Sequence, residues 1–242
     1  MNKIMRFSPS LCVTHRCNLN CVYCYQHHDE QRRMNFDTAK KCIDWIFHNI
    51  PDYAIDGVEI GFIGGEPLME FDLLRQIFSY VASKYNDIGH IFYATTNGTL
   101  LNSEMKKWFA EHRKYFSLGL SLDGTKKTHD ANRSGSFDSI DFDFFLTNWP
   151  EQGVKMTLSE YSLSRLAENI KFVHGLGFKH IIGVNLAEGS FDWSKEEYIK
   201  VLIPQLQELV EFYVENETLA LNQMLDRKLY VCESTKKERK KW

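Results

Sequence analysis

The sequence predicts an α/β fold built on a parallel sheet, because short β-rich runs alternate with longer, one-faced helical patterns along the chain. Runs 7–14, 58–63, 90–95, 116–122, 155–159 and 180–186 are rich in Ile, Val, Phe and Tyr and mostly close on Gly, Asn or Asp, which marks them as strands. Between them, 37–49, 71–85, 103–112, 137–149 and 162–176 carry apolar residues at three- and four-residue steps, and a further helix is expected over 194–216. Asp37, Asn102 or Ser103, and Ser194 have the side chains that cap helix N-termini. Six βα units are fewer than the eight that close a barrel.

A length of 242 residues suits one such domain, since single α/β barrels occupy roughly 200–250 residues. With 29 Lys and Arg against 32 Asp and Glu, the net charge of −3 gives no basic footprint for nucleic acid. No stretch approaches the roughly 18 apolar residues of a membrane span, and the opening Met1-Asn2-Lys3-Ile4-Met5-Arg6 lacks a signal-peptide core. The expectation is a cytoplasmic protein that meets neither membrane nor nucleic acid. Clustered cysteines in such a chain read as metal-binding or catalytic.

Ligands of parallel sheets gather at the C-terminal strand ends. Four polar or glycine-rich loops fall there in order: the cysteine loop Cys17-Asn18-Leu19-Asn20-Cys21-Val22-Tyr23-Cys24, Gly64-Gly65-Glu66-Pro67, Thr96-Asn97-Gly98, and Asp123-Gly124. The first offers three thiolates. Four cysteines close the usual iron–sulfur cluster, so three would leave one iron open for chemistry. A redox dithiol at Cys21–Cys24, or a structural zinc completed by His15, His27 or His28, is the alternative. Cys12, Cys42 and Cys232 lie outside this pattern and read as free thiols.

The Cys17-x3-Cys21-x2-Cys24 spacing, Tyr23 and the Gly64-Gly65-Glu66-Pro67 run resemble the radical S-adenosylmethionine (SAM) superfamily. The resemblance implies an open, partial (β/α)6 barrel, a [4Fe–4S] cluster on Cys17, Cys21 and Cys24, and SAM on the open iron, reductively cleaved to a 5′-deoxyadenosyl radical. It also implies roles for single residues. Gly64 and Gly65 admit a ligand closely, and Glu66 pairs with the methionyl ammonium. The Tyr23 backbone meets adenine, Ser121 or Asp123 reaches the ribose, and Arg133 forks onto the methionyl carboxylate. Asn97 is a further cofactor-binding candidate.

Thr96-Asn97-Gly98-Thr99, Ser121-Leu122-Asp123-Gly124 and His129-Asp130 with Arg133 narrow the likeness. They resemble the anaerobic sulfatase-maturating enzymes and the maturases of ribosomal peptides. These imply a peptide or protein substrate and a flavodoxin or ferredoxin as electron donor. The alternatives are a sulfatase-type maturase that oxidises one Cys or Ser, and a non-catalytic zinc or peptide-binding module. Such relatives usually continue into a cysteine-rich extension holding auxiliary clusters, whereas here only Cys232 lies beyond Cys42. The division expected is a core over 1–215 and a tail over 216–242 that reads as the truncated start of that extension.

Overall fold

The computed structural model describes residues 5–26, 32–188, 191–222 and 224–225. The chain forms two compact units. The first comprises Met1–Asn20, Gln26–Gly119 and Asp143–Trp149. Its sheet has the order β1 (Ser10–Thr14), β2 (Val58–Gly64), β3 (His90–Thr96), β4 (Phe116–Leu120). β1 and β3 both run parallel to β2, with Ser10 opposite Gly61 and Val58 opposite His90. Parallel neighbours require crossovers, which α1 (Phe36–His48), α2 (Phe71–Lys84) and α3 (Ser103–His112) supply.

Alternation along the strands sets the core. Phe62, Phe92 and Phe116 are fully buried and stack with centroids 5.6–6.0 Å apart. Phe78 of α2 meets Phe92 at 5.3 Å, and Phe109 of α3 meets Phe116 at 5.1 Å. Each such side chain contributes about 1.5–3 kcal/mol of burial, enough to fix which sheet face the helices cover. Ile63, next in line after Phe62 and turned to the other face, is 46% exposed.

The second unit comprises Cys21–Tyr25, Leu120–Phe142 and Pro150–Trp242. It contains a parallel pair, β5 (Val154–Leu158) and β6 (Ile181–Leu186). Its helices are α4 (Lys126–Asn132), α6 (Glu160–Leu163), α7 (Leu166–Gly175) and α8 (Glu196–Glu215); α5 (Phe142–Asn148) lies in the first unit from Asp143 onward. Six strands thus stand among the described residues, divided into sheets of four and two. The predicted continuation of the fourth strand to 122 persists as pairing alone: Ser121 bridges Lys155 in parallel, and Leu122 N donates to Lys155 O at 2.9 Å.

Local chemistry explains where the sequence expectation and the structure part. The helix expected over 137–149 is a 3-10 turn, Phe137–Ser139, followed by α5. Asp130 caps the Phe137 N–H at 2.9 Å, and Ile140 leaves helical geometry to bury its side chain. The helix expected over 162–176 starts earlier and breaks, because Ser159 and Ser162 form a capping box that begins α6 at Glu160, while Arg165 is non-helical. α4 was not foreseen; Lys126-Lys127-Thr128-His129-Asp130-Ala131-Asn132 has no apolar period, and the Thr125 hydroxyl caps it. Asn102 caps α3, whereas Asn35 caps α1 in place of Asp37, and Ser194 bonds Asp192 while Lys195 holds the α8 N-cap position. Among the described residues no helix is long and apolar enough to cross a membrane. His27, His28 and Cys232 lie outside the described residues.

Candidate cofactor site

In the first unit, the Gly64-Gly65-Glu66 run continues the β1–β2 pairing past the strand ends. Gly65 N donates to Thr14 O at 3.0 Å and Glu66 N to Arg16 O at 2.8 Å. A Cβ on Gly64 would overlap the Thr14 carbonyl, and one on Gly65 the Arg16 carbonyl. The close approach that needs glycine is therefore made by the chain's own backbone just before Cys17. The Glu66 side chain, 1% exposed, accepts from Leu68 N at 3.0 Å, Thr96 Oγ1 at 2.8 Å and Asn97 N at 2.8 Å, which ties the end of β2 to the end of β3. Asn97 Nδ2 in turn donates to Asn18 Oδ1 at 2.9 Å, and Asn18 Nδ2 to Thr99 Oγ1 at 2.8 Å. Cys17 thus sits between two fixed points, Arg16 and Asn18.

In the second unit, Tyr23, Asp123 and Arg133 are in mutual contact. Asp123 is fully buried; its Oδ2 accepts from Tyr23 OH at 2.5 Å and Asn132 Nδ2 at 3.1 Å, and its Oδ1 from Arg133 Nη2 at 3.1 Å and Thr157 N at 3.0 Å. The Arg133 guanidinium lies 5.3 Å from the Tyr23 ring centroid. Burial works to lower the Arg133 pKa, but the charge of Asp123, with Tyr23 and Cys21, outweighs it and the net shift is upward. Tyr23 is raised, by burial first. The backbone is tied as well: Val22 N donates to Asn132 O and Cys24 N to Cys21 O, both at 3.0 Å. His129, fully buried, faces Asp123 N through Nδ1 and Ser136 Oγ through Nε2, and burial, then the nearby Arg133, pushes its pKa down to about 4.

The cofactor-binding candidates read from the sequence all lie among the described residues. Gly64, Gly65, Glu66 and Asn97 gather around the entry of the cysteine loop in the first unit; Tyr23, Asp123 and Arg133 gather around its exit in the second. Ser121, 9% exposed, stands on the strand pairing with Lys155, apart from that hydrogen-bonded group. Sequence reasoning missed Asn18, Asn132 and Thr157. No local signal marks them, since their partners lie 79, 9 and 34 residues away along the chain.

Three observations bear on whether the loop suits an iron–sulfur cluster. Cys17, Cys21 and Cys24 are outside any disulfide and of intermediate exposure, and soft thiolates favour clusters or zinc. Leu19 N points at Cys17 Sγ at 3.4 Å, a contact that stabilises thiolate charge. Among the described residues no three His, Cys, Asp or Glu side chains gather around one point. Three thiolates can serve either group, and a cluster offers each of them its own iron. The residues fit the cluster.

Comparison with known proteins gives the same answer. A relative from Clostridium novyi, a cysteine-type anaerobic sulfatase-maturating enzyme, is 36% identical over 51% of this chain and 35% of its own length. An uncharacterized protein of Methanothermobacter thermautotrophicus is 26% identical over 94% of this chain and 90% of its own. A solved structure described as native anSMEcpe with bound AdoMet and Cp18Cys peptide superposes with TM-score 0.75 at 19% identity, over 90% of this chain and 63% of that one. The chain thus spans about a third of the first of these proteins and under two thirds of the solved one. The model of the radical SAM superfamily matches residues 11–200, so the chain belongs to that superfamily, whose cofactors are a [4Fe–4S] cluster and SAM.

Proposed function

We propose that the chain is a peptide- or protein-modifying radical SAM enzyme with Cys17, Cys21 and Cys24 as its three cluster ligands. The observation that carries the reading is the anchoring of the cysteine loop at both ends: Glu66 N and Asn97 hold the Arg16–Asn18 entry, and Asn132 and Asp123 hold the Val22–Tyr23 exit. Each end is tied within its own unit, so the backbone that carries Cys17 and the backbone that carries Cys21 and Cys24 are each ordered without a metal, which lowers the cost of binding. When bound, the cluster and SAM supply a carbon-centred radical able to abstract hydrogen.

The residues supply binding and orientation. Ser121 offers a hydroxyl to the ribose, and Arg133 reaches the methionyl carboxylate through Nη1, since Nη2 is spent on Asp123. Glu66 contributes negative charge toward the ammonium while its oxygens hold Leu68, Thr96 and Asn97. A flavodoxin or ferredoxin delivers the electron. The peptide substrate is supported by relatives whose names place them in sulfatase maturation and in biosynthesis of the bacteriocin subtilosin.

The cluster assignment is tested by changing each cysteine to Ala and reconstituting anaerobically. Each variant is expected to lose the brown iron–sulfur absorbance, the acid-labile sulfide and 5′-deoxyadenosine production together. Parent-level sulfide and turnover in Cys21→Ala would remove it from the ligand set, and a colourless parent with one zinc per chain would replace the enzyme reading with a structural module. Mass change on a short Cys-containing peptide, against a sulfatase-derived peptide, separates peptide maturation from sulfatase maturation.

A further inference from the structure

We propose that Asp123 is a positioning residue: its carboxylate sets the Cys21–Cys24 half of the cysteine loop and the Arg133 guanidinium from one shared point, and does not itself meet the cofactor. The proposal rests on the cofactor site above and deepens it.

A carboxylate offers about four lone-pair positions. On Asp123 four donors take them: Arg133 Nη2 and Thr157 N on Oδ1, Tyr23 OH and Asn132 Nδ2 on Oδ2. Arg133 Nε lies a further 3.1 Å from Oδ2 as an ion pair, although its N–H is too poorly aimed to count as a hydrogen bond. The residue has no exposed surface. A ribose hydroxyl recognised by a carboxylate must donate to it, and no acceptor position is left. Ser121 keeps that part.

The saturated carboxylate acts through its donors. Tyr23 stands between Cys21 and Cys24, so the 2.5 Å bond from its hydroxyl fixes the turn that carries both thiols. Asn132 completes the grip with both of its polar ends, its carbonyl taking Val22 N and its Nδ2 meeting Asp123. Its Oδ1 takes the Ser159 hydroxyl at 2.8 Å, which roots the arrangement in the capping box of α6. The opposite side of Asp123 orients Arg133 and leaves its Nη1 edge for an anion. One side chain thereby sets the direction of two groups that serve different parts of the cofactor pair.

The test uses the full chain with Tyr23→Phe, which keeps the ring under Arg133 and deletes the hydroxyl, and Asp123→Asn, which keeps the shape and inverts one donor contact. Amide exchange at Val22 and Cys24 in the metal-free protein reads the tie directly. It is expected to speed up about fivefold in Tyr23→Phe and more in Asp123→Asn, the value of one neutral hydrogen bond. After reconstitution, both variants are expected to load iron but to give a broadened electron paramagnetic resonance signal from the reduced cluster. Their SAM affinity should fall, yet the further loss for a SAM analogue lacking the ribose 2′-hydroxyl should match the parent's. Unchanged exchange and unchanged resonance in Tyr23→Phe would overturn the proposal. So would an Asp123→Asn protein with the parent's resonance that no longer distinguishes the analogue, because Asp123 would then be a ribose ligand. If Asp123→Asn fails to fold, Tyr23→Phe alone decides. A parent that takes up no cluster counts against the cofactor-site reading, and amide exchange still judges Asp123.

Discussion

Two buried carboxylates, Glu66 in the first unit and Asp123 in the second, carry similar motif signals and do different physical work. Glu66 accepts from two backbone amides and a threonine hydroxyl, all neutral, and joins two strand ends. Asp123 accepts from a guanidinium, a phenol, an amide side chain and one backbone amide. These donors make Glu66 a strut between strand ends whose loss costs hydrogen bonds; the cation makes Asp123 half of a buried ion pair whose loss strands a charge. A motif letter therefore fixes the residue type without fixing which of these two economies it belongs to.

The widest gap between the two should open on truncation of Asp123. Asp123→Ala leaves the Arg133 charge buried without its partner, which typically costs about 3–5 kcal/mol. Denaturant unfolding is expected to show a loss of that order, and a loss under about 1 kcal/mol would show that Arg133 turns out to solvent and the pair is dispensable.

Next comes pH, which acts on the second node through His129. In the unfolded chain its pKa is about 6.5, and in the fold it is pushed down to about 4. The unfolded state then binds more protons between these values, so stability is full above about pH 6.5 and falls as the pH drops through the window, by roughly 3 kcal/mol at most. Melts from pH 7 to pH 4 should show this slope, and His129→Gln should flatten it. An unaltered slope in that variant would assign the acid sensitivity to other groups.

The smallest effect is expected at Glu66. Glu66→Gln turns one acceptor into a donor facing a backbone amide or the Thr96 hydroxyl, at about 1–3 kcal/mol. Both the melting temperature and SAM affinity, the latter about tenfold, should fall. A fall in affinity with an unmoved melt would make Glu66 a ligand first and a strut second.

The strand and helix pattern was legible because burial imposes it locally: Val58, Ile60 and Phe62 recur on the covered face of β2 at the period of a strand. Helix α3 was found to the residue, since Asn102 announces it chemically. α4 escaped because its short, polar face has no period to read, and the 3-10 turn at Phe137 and the early start of α6 escaped because side chains outside those elements, Asp130 and Ser159, bond their first turns. The cysteine spacing and the Gly-Gly-Glu run pointed to the cofactors. What the pattern could not convey is that Gly65 crowds Arg16 and that Asp123 is saturated, because spacing records neighbours along the chain and these neighbours are 49 and 100 residues apart.

The anchoring of the cysteine loop also bears on the order in which the protein can be made. The three thiols are translated well before the backbone carbonyl that holds their loop, since Asn132 follows Cys24 by 108 positions (132 − 24). At synthesis rates of about 5–20 residues per second the loop waits roughly 5–20 s for its final shape, with its sulfurs open to oxidation meanwhile. Delivery of iron and sulfide is thereby scheduled late, after α4 has emerged, because the earlier stretch of chain waits on the later one for its shape.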